Sequence, residues 1–437
     1  MKRLLLAGTA AATAAVVLLL GGVFRQDGQP AAGAGTVPSR TAETLAGGFS
    51  TGDTAGLVRD LQAAVRRAPK NVHELGLLGL AYQQRARETG DPSYYTRSDG
   101  VLRRALRIAP RDLIATSGLG SLELSRHRFA QALVLGERAR AISPTTARNY
   151  GVIGDALVEL GRYRQAFAAF DTLARLKPGL TAYARVSYAR ELNGDIAGAR
   201  QALQLALDAA IGEPEAIAWT HVQLGKLAFG HGRLAEAERE VREALRGYPG
   251  YVYGLDALAQ VEAAKGRWTK AIALERQAVE RIPLPQFVSY LGDLYRVTGH
   301  PKLAAEQYAT IGAIERLLNA NGVRTDLETA LFDADHGIRP ARTLALARKA
   351  QHARPSIDGD DVLAWALQRN GRCGEALHYS KLALRLGTRD ALKFFHRGMI
   401  ERCLGHDDAA RMWFGRALAL NPHFSLLWAP TARRYAR

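Results

Sequence analysis

The chain has 437 residues and is poor in the features that usually carry chemistry. It has 2 cysteines and 3 methionines, and only 7% of its residues are aromatic. It contains no GxxxxGK[ST] phosphate loop, no HExxH zinc helix and no CxxC pair. These absences exclude the enzyme classes that the motifs define, so we expect a non-enzymatic protein with no cofactor and no metal.

One acidic cluster needs separate treatment because carboxylates and imidazole can bind a divalent metal. Asp333, Asp335 and His336 lie in the segment FDADHG, and three further aspartates follow at 358, 360 and 361. Aspartate also favours helix starts, and Gly337 favours a helix end. Since the spacing matches no specific metal motif, the helix-end interpretation is favoured over a metal site.

The charge of the chain is strongly basic, with a formal net charge of +17 at pH 7. Such an excess could suit a nucleic acid or a membrane surface. The basic residues are mostly arginine, however, and they are spread along the whole chain. Because no basic run concentrates the charge, we expect no nucleic-acid partner.

The N-terminus carries an uncharged stretch from Leu4 to Phe24, directly after Lys2 and Arg3. As a helix it would be about 31 Å long, which matches the hydrocarbon core of a membrane. We predict an apolar helix over 1–24 that anchors the chain, with the repeats outside the cytoplasm; a cleaved signal and a secreted chain are the alternative. No cysteine lies nearby, which excludes a lipoprotein anchor. Residues 25–53, rich in Gly, Ala, Thr and Pro, predict a flexible linker.

A fixed spacing dominates the rest of the chain. Pro110, Pro144 and Pro178 follow one another at intervals of 34 residues. Self-similarity at such a period indicates a solenoid built from one repeated supersecondary unit. The same units carry a glycine followed five residues later by an alanine, at Gly161/Ala166, Gly194/Ala199, Gly232/Ala237, Gly266/Ala271, Gly299/Ala304, Gly371/Ala376 and Gly405/Ala410.

One unit, residues 218–249, shows why the pattern predicts two helices. Leu224, Gly225 and Ala228 recur at three- and four-residue steps and share one helical face. Gly232 then favours a helix stop, and a second helical pattern runs to Pro249, which cannot continue it. Each unit is therefore predicted as helix, glycine turn, helix and proline stop.

This pattern resembles the tetratricopeptide repeat. The resemblance rests on the turn glycine, the second-helix alanine, the closing proline, the Leu-Gly pairs at 119–120, 224–225 and 291–292, and the aromatics Phe170, Tyr308 and Phe414. It implies an all-α, right-handed α-solenoid of about ten stacked helix–turn–helix units over 54–422, with 423–437 as a capping segment and tail. Two segments depart from the repeat pattern. We interpret residues 90–100, GDPSYYTRSDG, as an insertion between the helices of the first full unit. The repeat register between residues 311 and 355 is left open.

In this family the first helix of each unit lines a concave wall that binds partners. On that wall of this chain acids outnumber bases and aromatics are interspersed. The resemblance therefore implies an interaction scaffold for a peptide or protein in the cell envelope. Two alternatives stay open: an accessory subunit that assembles or regulates a membrane enzyme or metal transporter, and acids that merely solvate an open helix face. The predicted groove residues are Asp155, Glu159, Tyr188, Glu191, Trp219, Phe229, Tyr253, Asp256, Asp293, Asp361, Trp365 and Phe395.

The two cysteines occupy comparable places in consecutive units. Cys373 follows the turn glycine of one unit, and Cys403 precedes the turn glycine of the next. Stacking puts these turns along one edge of the solenoid, so the thiols become neighbours. In an exported protein such a pair predicts a disulfide, whereas two buried thiols would act as small apolar side chains.

Overall fold

The structure of the protein is a computed structural model that describes residues 53–437. The predicted N-terminal helix and nearly all of the predicted linker lie outside the described residues. All regular structure in the described part is helical. The helices are α1 (Thr54–Arg67), α2 (Val72–Thr89), α3 (Ser93–Ile108), α4 (Leu113–Ser125), α5 (Phe129–Ile142), α6 (Ala147–Glu159), α7 (Tyr163–Leu176), α8 (Leu180–Leu192), α9 (Ile196–Asp208), α10 (Pro214–Gly230), α11 (Leu234–Gly247), α12 (Val252–Ala264), α13 (Trp268–Arg281), α14 (Pro285–Val297), α15 (Pro301–Ala320), α16 (Asp326–His336), α17 (Pro340–Ala353), α18 (Ile357–Arg369), α19 (Cys373–Ala383), α20 (Ala391–Cys403), α21 (Asp407–Leu420) and α22 (Ala429–Tyr435).

Helices α2 to α21 form ten pairs, in which each even-numbered helix packs on the next odd-numbered one. Helices α1 and α22 flank this array at its two ends. The number of pairs agrees with the predicted number of stacked units. From Asp53 to the C-terminus, no helix has both the length and the apolar character that a membrane span needs.

The mid-helix glycines of the repeat mark places where two helices touch closely. A Cβ added to Gly154 in α6 would lie 2.3 Å from the ring of Phe170 in α7. The same contact recurs between Gly292 in α14 and Tyr308 in α15, at 2.4 Å. The aromatic position of the second helix therefore packs on the glycine position of the first, which any larger residue would prevent.

Both departures from the repeat pattern turn out to be helical. Most of the segment interpreted as an insertion forms the start of α3, which begins at Ser93. In the stretch of open register, α15 runs on to Ala320, and α16 and α17 meet at Gly337 with φ 68°. The left-handed Gly337 ends α16, and Arg339, with φ 39°, precedes α17.

The solenoid winds so tightly that its two halves touch. We call α1–α11 the first coil and α12–α22 the second coil. The Arg324 N–H of the second coil donates to the Arg126 carbonyl of the first at 3.0 Å, and the Ile357 N–H donates to the Tyr163 hydroxyl at 2.7 Å. The Thr388 hydroxyl donates to the Leu192 carbonyl.

These contacts form a continuous line that we call the seam. It joins first-coil loops at 126–128, 161–163, 192–194 and 231–233 to second-coil loops at 321–325, 354–357, 387–389 and 420–422. A Cβ at Gly161 would lie 2.3 Å from the Pro355 carbonyl oxygen, and one at Gly194 would lie 2.7 Å from that of Gly387. Within a pair, the turn glycines allow a positive φ. At the seam, their missing Cβ also leaves room for the backbone of the other coil.

Candidate functional site

The inner faces of the two coils enclose a cavity of about 550 Å³. The first helices of the repeats supply most of its wall, as the family pattern implies. The C-terminal segment adds Phe424 and Leu426, and the seam closes one side through residues such as Ile357 and Thr388. Seven of the predicted groove residues line this cavity: Tyr188, Glu191, Trp219, Phe229, Tyr253, Asp256 and Asp293.

The cavity is acidic although the chain is basic. Eight Asp or Glu side chains line it, against four Lys or Arg side chains, in a chain of net charge +17. Three histidines also line it, and burial lowers the pKa of His127, His231 and His423. A lowered pKa keeps imidazole neutral at pH 7, so the histidines do not offset the acidic excess.

Asp256 in α12 is the most enclosed of the acids that were predicted and that line the cavity. Its side chain is 2% exposed, and this burial raises its pKa. The positive charge of Lys226 offsets only part of that increase. The Lys226 Nζ lies 3.8 Å from the carboxylate, and the Gln260 amide donates to it at 2.9 Å. The carboxylate is thus held in one orientation at the cavity wall.

Among the predicted groove acids, Glu191 in α8 has the largest shift in pKa. Burial, followed by the negative charge of Asp390, raises its pKa to about 7. Lys393 lies beside it and donates to Asp358 and Asp390, each at 2.8 Å. Two carboxylates therefore hold the ammonium group at the side of the cavity that borders the seam, and Glu191 lies within range of their charges.

Asp293 in α14 accepts hydrogen bonds from the Tyr308 hydroxyl at 2.6 Å and from His336 Nε2 at 2.9 Å. Burial would lower the pKa of His336, but the hydrogen bond and charge of Asp293 outweigh it and raise this pKa. In the same acidic cluster, Asp335 accepts from the indoles of Trp365 and Trp428. Within residues 53–437, no group of three Asp, Glu, His or Cys side chains is arranged to hold a metal ion.

Three predicted groove acids are bound by side chains of other helices and do not line the cavity. Asp155 is bound by Arg185 through two contacts of 2.9 and 2.6 Å. Asp361 receives a hydrogen bond from His396 Nδ1 at 3.0 Å. Glu159 is paired with Arg354 of the second coil. The expectation of an open acidic wall at these positions is corrected, because neighbouring helices and the next coil supply side chains that donate to these carboxylates.

Trp365 and Phe395, also predicted on the wall, are fully buried at 0% exposure. The C-terminal segment folds back over them, and the Trp428 ring lies 5.4 Å from Trp365 and 5.5 Å from Phe395, between centroids. Phe424 packs on Phe395 at 5.6 Å. These two aromatics belong to the apolar core under the C-terminal segment, which covers the inner face of the last repeats.

The two cysteines are adjacent. Cys373 begins α19 and Cys403 ends α20, and the structure joins them as a disulfide with their Cα atoms 6.1 Å apart. This spacing suits a bridge without backbone movement. The link connects consecutive pairs along the solenoid and does not cross the seam.

A scan against family models finds the tetratricopeptide repeat at residues 152–214 and 222–284. These matches fall on α6–α9 and α10–α13, which include the contact between Gly154 and Phe170. These two segments are tetratricopeptide repeats. Such repeats generally mediate protein–protein interaction.

The chain is also similar to Cellulose synthase operon protein C of Xanthomonas axonopodis pv. citri (strain 306), with 29% identity over 281 residues. That match covers 64% of this chain and 16% of the relative, so the chain spans a small part of that protein's length. Among solved structures, a human IFIT1 dimer with m7Gppp-AAAA has a TM-score of 0.47 at 14% identity, over 84% of this chain and 86% of that one.

A thermophilic tetratricopeptide repeat protein of Thermus thermophilus has a TM-score of 0.38 at 23% identity, over 44% of this chain and 98% of that one.

Proposed function

We propose that the protein is a non-enzymatic interaction scaffold whose acidic cavity binds an extended, basic or neutral segment of a partner protein. The observation that carries the proposal is the cavity itself, where acids predominate inside a chain of opposite net charge. Its volume of about 550 Å³ lies within the range of ligand-binding cavities. It therefore suits a short segment of a partner and not a folded domain.

The side chains around the cavity fit such a segment. Phe229 and Tyr253 line the cavity and are only partly buried, so their rings offer apolar surface with few rotatable bonds, which favours contact with an extended chain. Asp256 and Asp293 offer oriented carboxylates for ammonium or guanidinium groups and for peptide N–H groups. Binding is expected to weaken as salt is added, since charge pairs open to solvent are screened within about 10 Å at 0.1 M.

The partner can be identified by photo-cross-linking in cells. A photoreactive residue at Gln223, which lines the cavity, should capture one predominant protein. The same residue at Arg239, exposed on α11, is the matched control and should capture it much less. Equal capture at both positions would place the contact outside the cavity.

The charge requirement can be tested on the captured segment. The triple variant Glu191→Gln, Asp256→Asn and Asp293→Asn should bind it at least roughly tenfold more weakly, because charge-assisted hydrogen bonds are lost. At pH 8, above the pKa of about 7 of Glu191, the control triple variant Asp171→Asn, Glu280→Gln and Asp408→Asn removes the same charge from exposed positions. Equal affinity of both variants would mean that the acids of the cavity do not recognise the partner.

We also propose that the protein acts outside the cytoplasm, held there by the apolar stretch Leu4 to Phe24. The stretch is long enough to span a membrane, and the paired cysteines suit an oxidising compartment. Mass spectrometry without reduction, on protein taken directly from the envelope, should find Cys373 linked to Cys403. Two freely alkylated thiols in that sample would argue for a reducing compartment.

An accessory role in a membrane assembly is a second candidate, favoured by the similarity to a protein named for a cellulose synthase operon. In that case the captured partner is a subunit of a membrane enzyme or transporter. Purification of the whole protein in mild detergent should then yield that subunit in stoichiometric amount. Recovery of a soluble envelope protein alone would favour the simple scaffold.

A further inference from the structure

The two coils are each held by apolar packing, whereas the contact between them is mainly polar. Apolar clusters run through neighbouring helix pairs, as in the clusters within residues 58–122 and 327–436. Across the seam, Ile357 and Leu386 join the apolar cluster of residues 153–258. The other seam contacts already described are hydrogen bonds and ion pairs. Separation of the seam would expose Ile357 and Leu386 but would leave the packing between the helices of each repeat in place.

Arg354 is the central ionic contact of the seam. Its guanidinium pairs with Glu159 of the first coil, pairs with Glu328 of the second at 2.9 Å, and lies over the Phe129 ring at 5.3 Å. Arg354 and Glu159 are each 5% exposed. A buried pair gains little net stability, because the cost of removing both ions from water offsets most of their attraction.

The seam is also one wall of the cavity. Leu192 and His127 line the cavity from the first-coil side, and Thr325, Ile357 and Thr388 line it from the second-coil side. Separation of the coils along this line would expose the cavity from the side, along its length. Small rotations between successive repeats accumulate in a solenoid, so a modest change in each pair can widen the gap.

We propose that the seam is a reversible side entrance to the cavity. The coils part along 126–233 and 321–422, and a partner segment is inserted laterally before they close over it. This inference rests on the proposed function, because it assigns the route by which that site is reached. Its polar contacts exchange for water with little net change in free energy, so the main cost of opening is the exposure of Ile357 and Leu386.

The test uses a thiol placed inside the cavity of the full chain. Ser187 in α8 lines the cavity and is 3% exposed, so Ser187→Cys is a conservative probe. The two native cysteines are bonded to each other and leave the new thiol as the reactive one in the described chain. Its labelling rate is measured with N-ethylmaleimide and with a poly(ethylene glycol) maleimide that is larger than the cavity.

Seam variants should accelerate labelling by the bulky reagent. Tyr163→Phe with Thr388→Val removes one acceptor and one donor of the seam while keeping the shape of both side chains. We expect labelling to become roughly five- to tenfold faster, since each lost hydrogen bond favours the open form. The control, Tyr150→Phe with Thr172→Val, removes hydroxyl contacts to Pro144 and Ala168 that lie away from the seam.

Equal rates in the seam and control variants, with unchanged helicity, would overturn the proposal. Hydrogen exchange of the unmodified protein provides a second measurement that needs no variant. The amides of Arg324 and Ile357 should exchange faster than that of Leu258 in the middle of α12, and equally slow exchange would also overturn it. Neither measurement uses a partner, so failed capture at Gln223 with normal seam opening would count against the proposed function alone.

Discussion

Phe170 and Arg354 represent two kinds of contact in one molecule. Phe170 lies against Gly154, 16 positions earlier in the sequence, and this contact recurs between later helix pairs. Arg354 lies against Glu159, 195 positions earlier, and belongs to a single line of contact. Short-range apolar contacts thus build each coil, and long-range polar contacts set how the coils meet. The comparison predicts that the two regions respond differently to substitution.

The largest effect is expected inside the stack. Phe170 is 1% exposed, and Phe170→Ala should lower the free energy of unfolding by about 3–5 kcal/mol, because apolar contacts are lost and a cavity remains. The measurement is urea denaturation followed by circular dichroism. Leu205→Ala, at a side chain 44% exposed, is the control and should change stability little. A comparable loss in both variants would contradict the assignment of Phe170 to the core.

The second-largest loss of stability is expected when the ion pair of Arg354 at the seam is removed. Arg354→Met should destabilise the protein by about 2–4 kcal/mol, since Glu159 and Glu328 stay enclosed without their cation. Adding Glu159→Leu should recover part of that loss, which a purely steric effect would not allow. Arg246→Met, in an exposed pair with Glu243, is the control and should have a far smaller effect.

The turn glycines offer a matched comparison of a seam position with a free one. Gly161 and Gly371 both have a positive φ, of 68° and 72°. A Cβ at Gly161 meets the Pro355 carbonyl, whereas in the described chain no atom lies within 4 Å of one at Gly371. Gly371→Ala should cost about 1 kcal/mol from backbone strain, and Gly161→Ala about 1–2 kcal/mol more. Thermal unfolding of both variants measures the difference, and equal losses would mean that this part of the seam does not close in solution.

The smallest effect is expected at Glu191, where the cavity borders the seam. The unfolded chain releases this proton near pH 4.5, whereas the folded chain retains it up to the pKa of about 7. Stability therefore falls as the pH rises through that window. Glu191→Gln should be more stable than the parent by about 1–2 kcal/mol at pH 8 and no different at pH 4. Urea denaturation at both pH values measures this; a gain of equal size at both would exclude titration as its cause.

Much of the architecture could be predicted from the sequence because its determinants are local. The turn glycines, the Leu-Gly pairs and the second-helix aromatics all act within one unit or between neighbours, so the 34-residue period displays them directly. The sequence did not predict that α3 begins at Ser93, because residues 93–100 lack the repeat pattern that marks the other helices. The pattern showed that the segment before Val101 departs from the repeat but not that it continues a helix.

The candidate site was predictable only in part. Helical periodicity identified the inner faces correctly for residues such as Trp219 and Asp256, which line the cavity. It could not show that Glu159 meets an arginine from the next coil, or that Trp365 lies under the C-terminal segment. Those partners are far away in the sequence and outside the repeated pattern. Arg354 and Tyr163 therefore carried no sequence signal that distinguished them from other repeat residues.

The sequence by itself determined the helix pairs, their number and the acidic, aromatic character of the inner face. Each of these depends on residues within about one repeat, where chain connectivity already brings the partners together. The tertiary structure alone decided that the inner face becomes an enclosed cavity with a polar seam. The rotation of each repeat relative to the next accumulates over many pairs, so residues such as Glu159 and Arg354 meet only once the whole coil has formed.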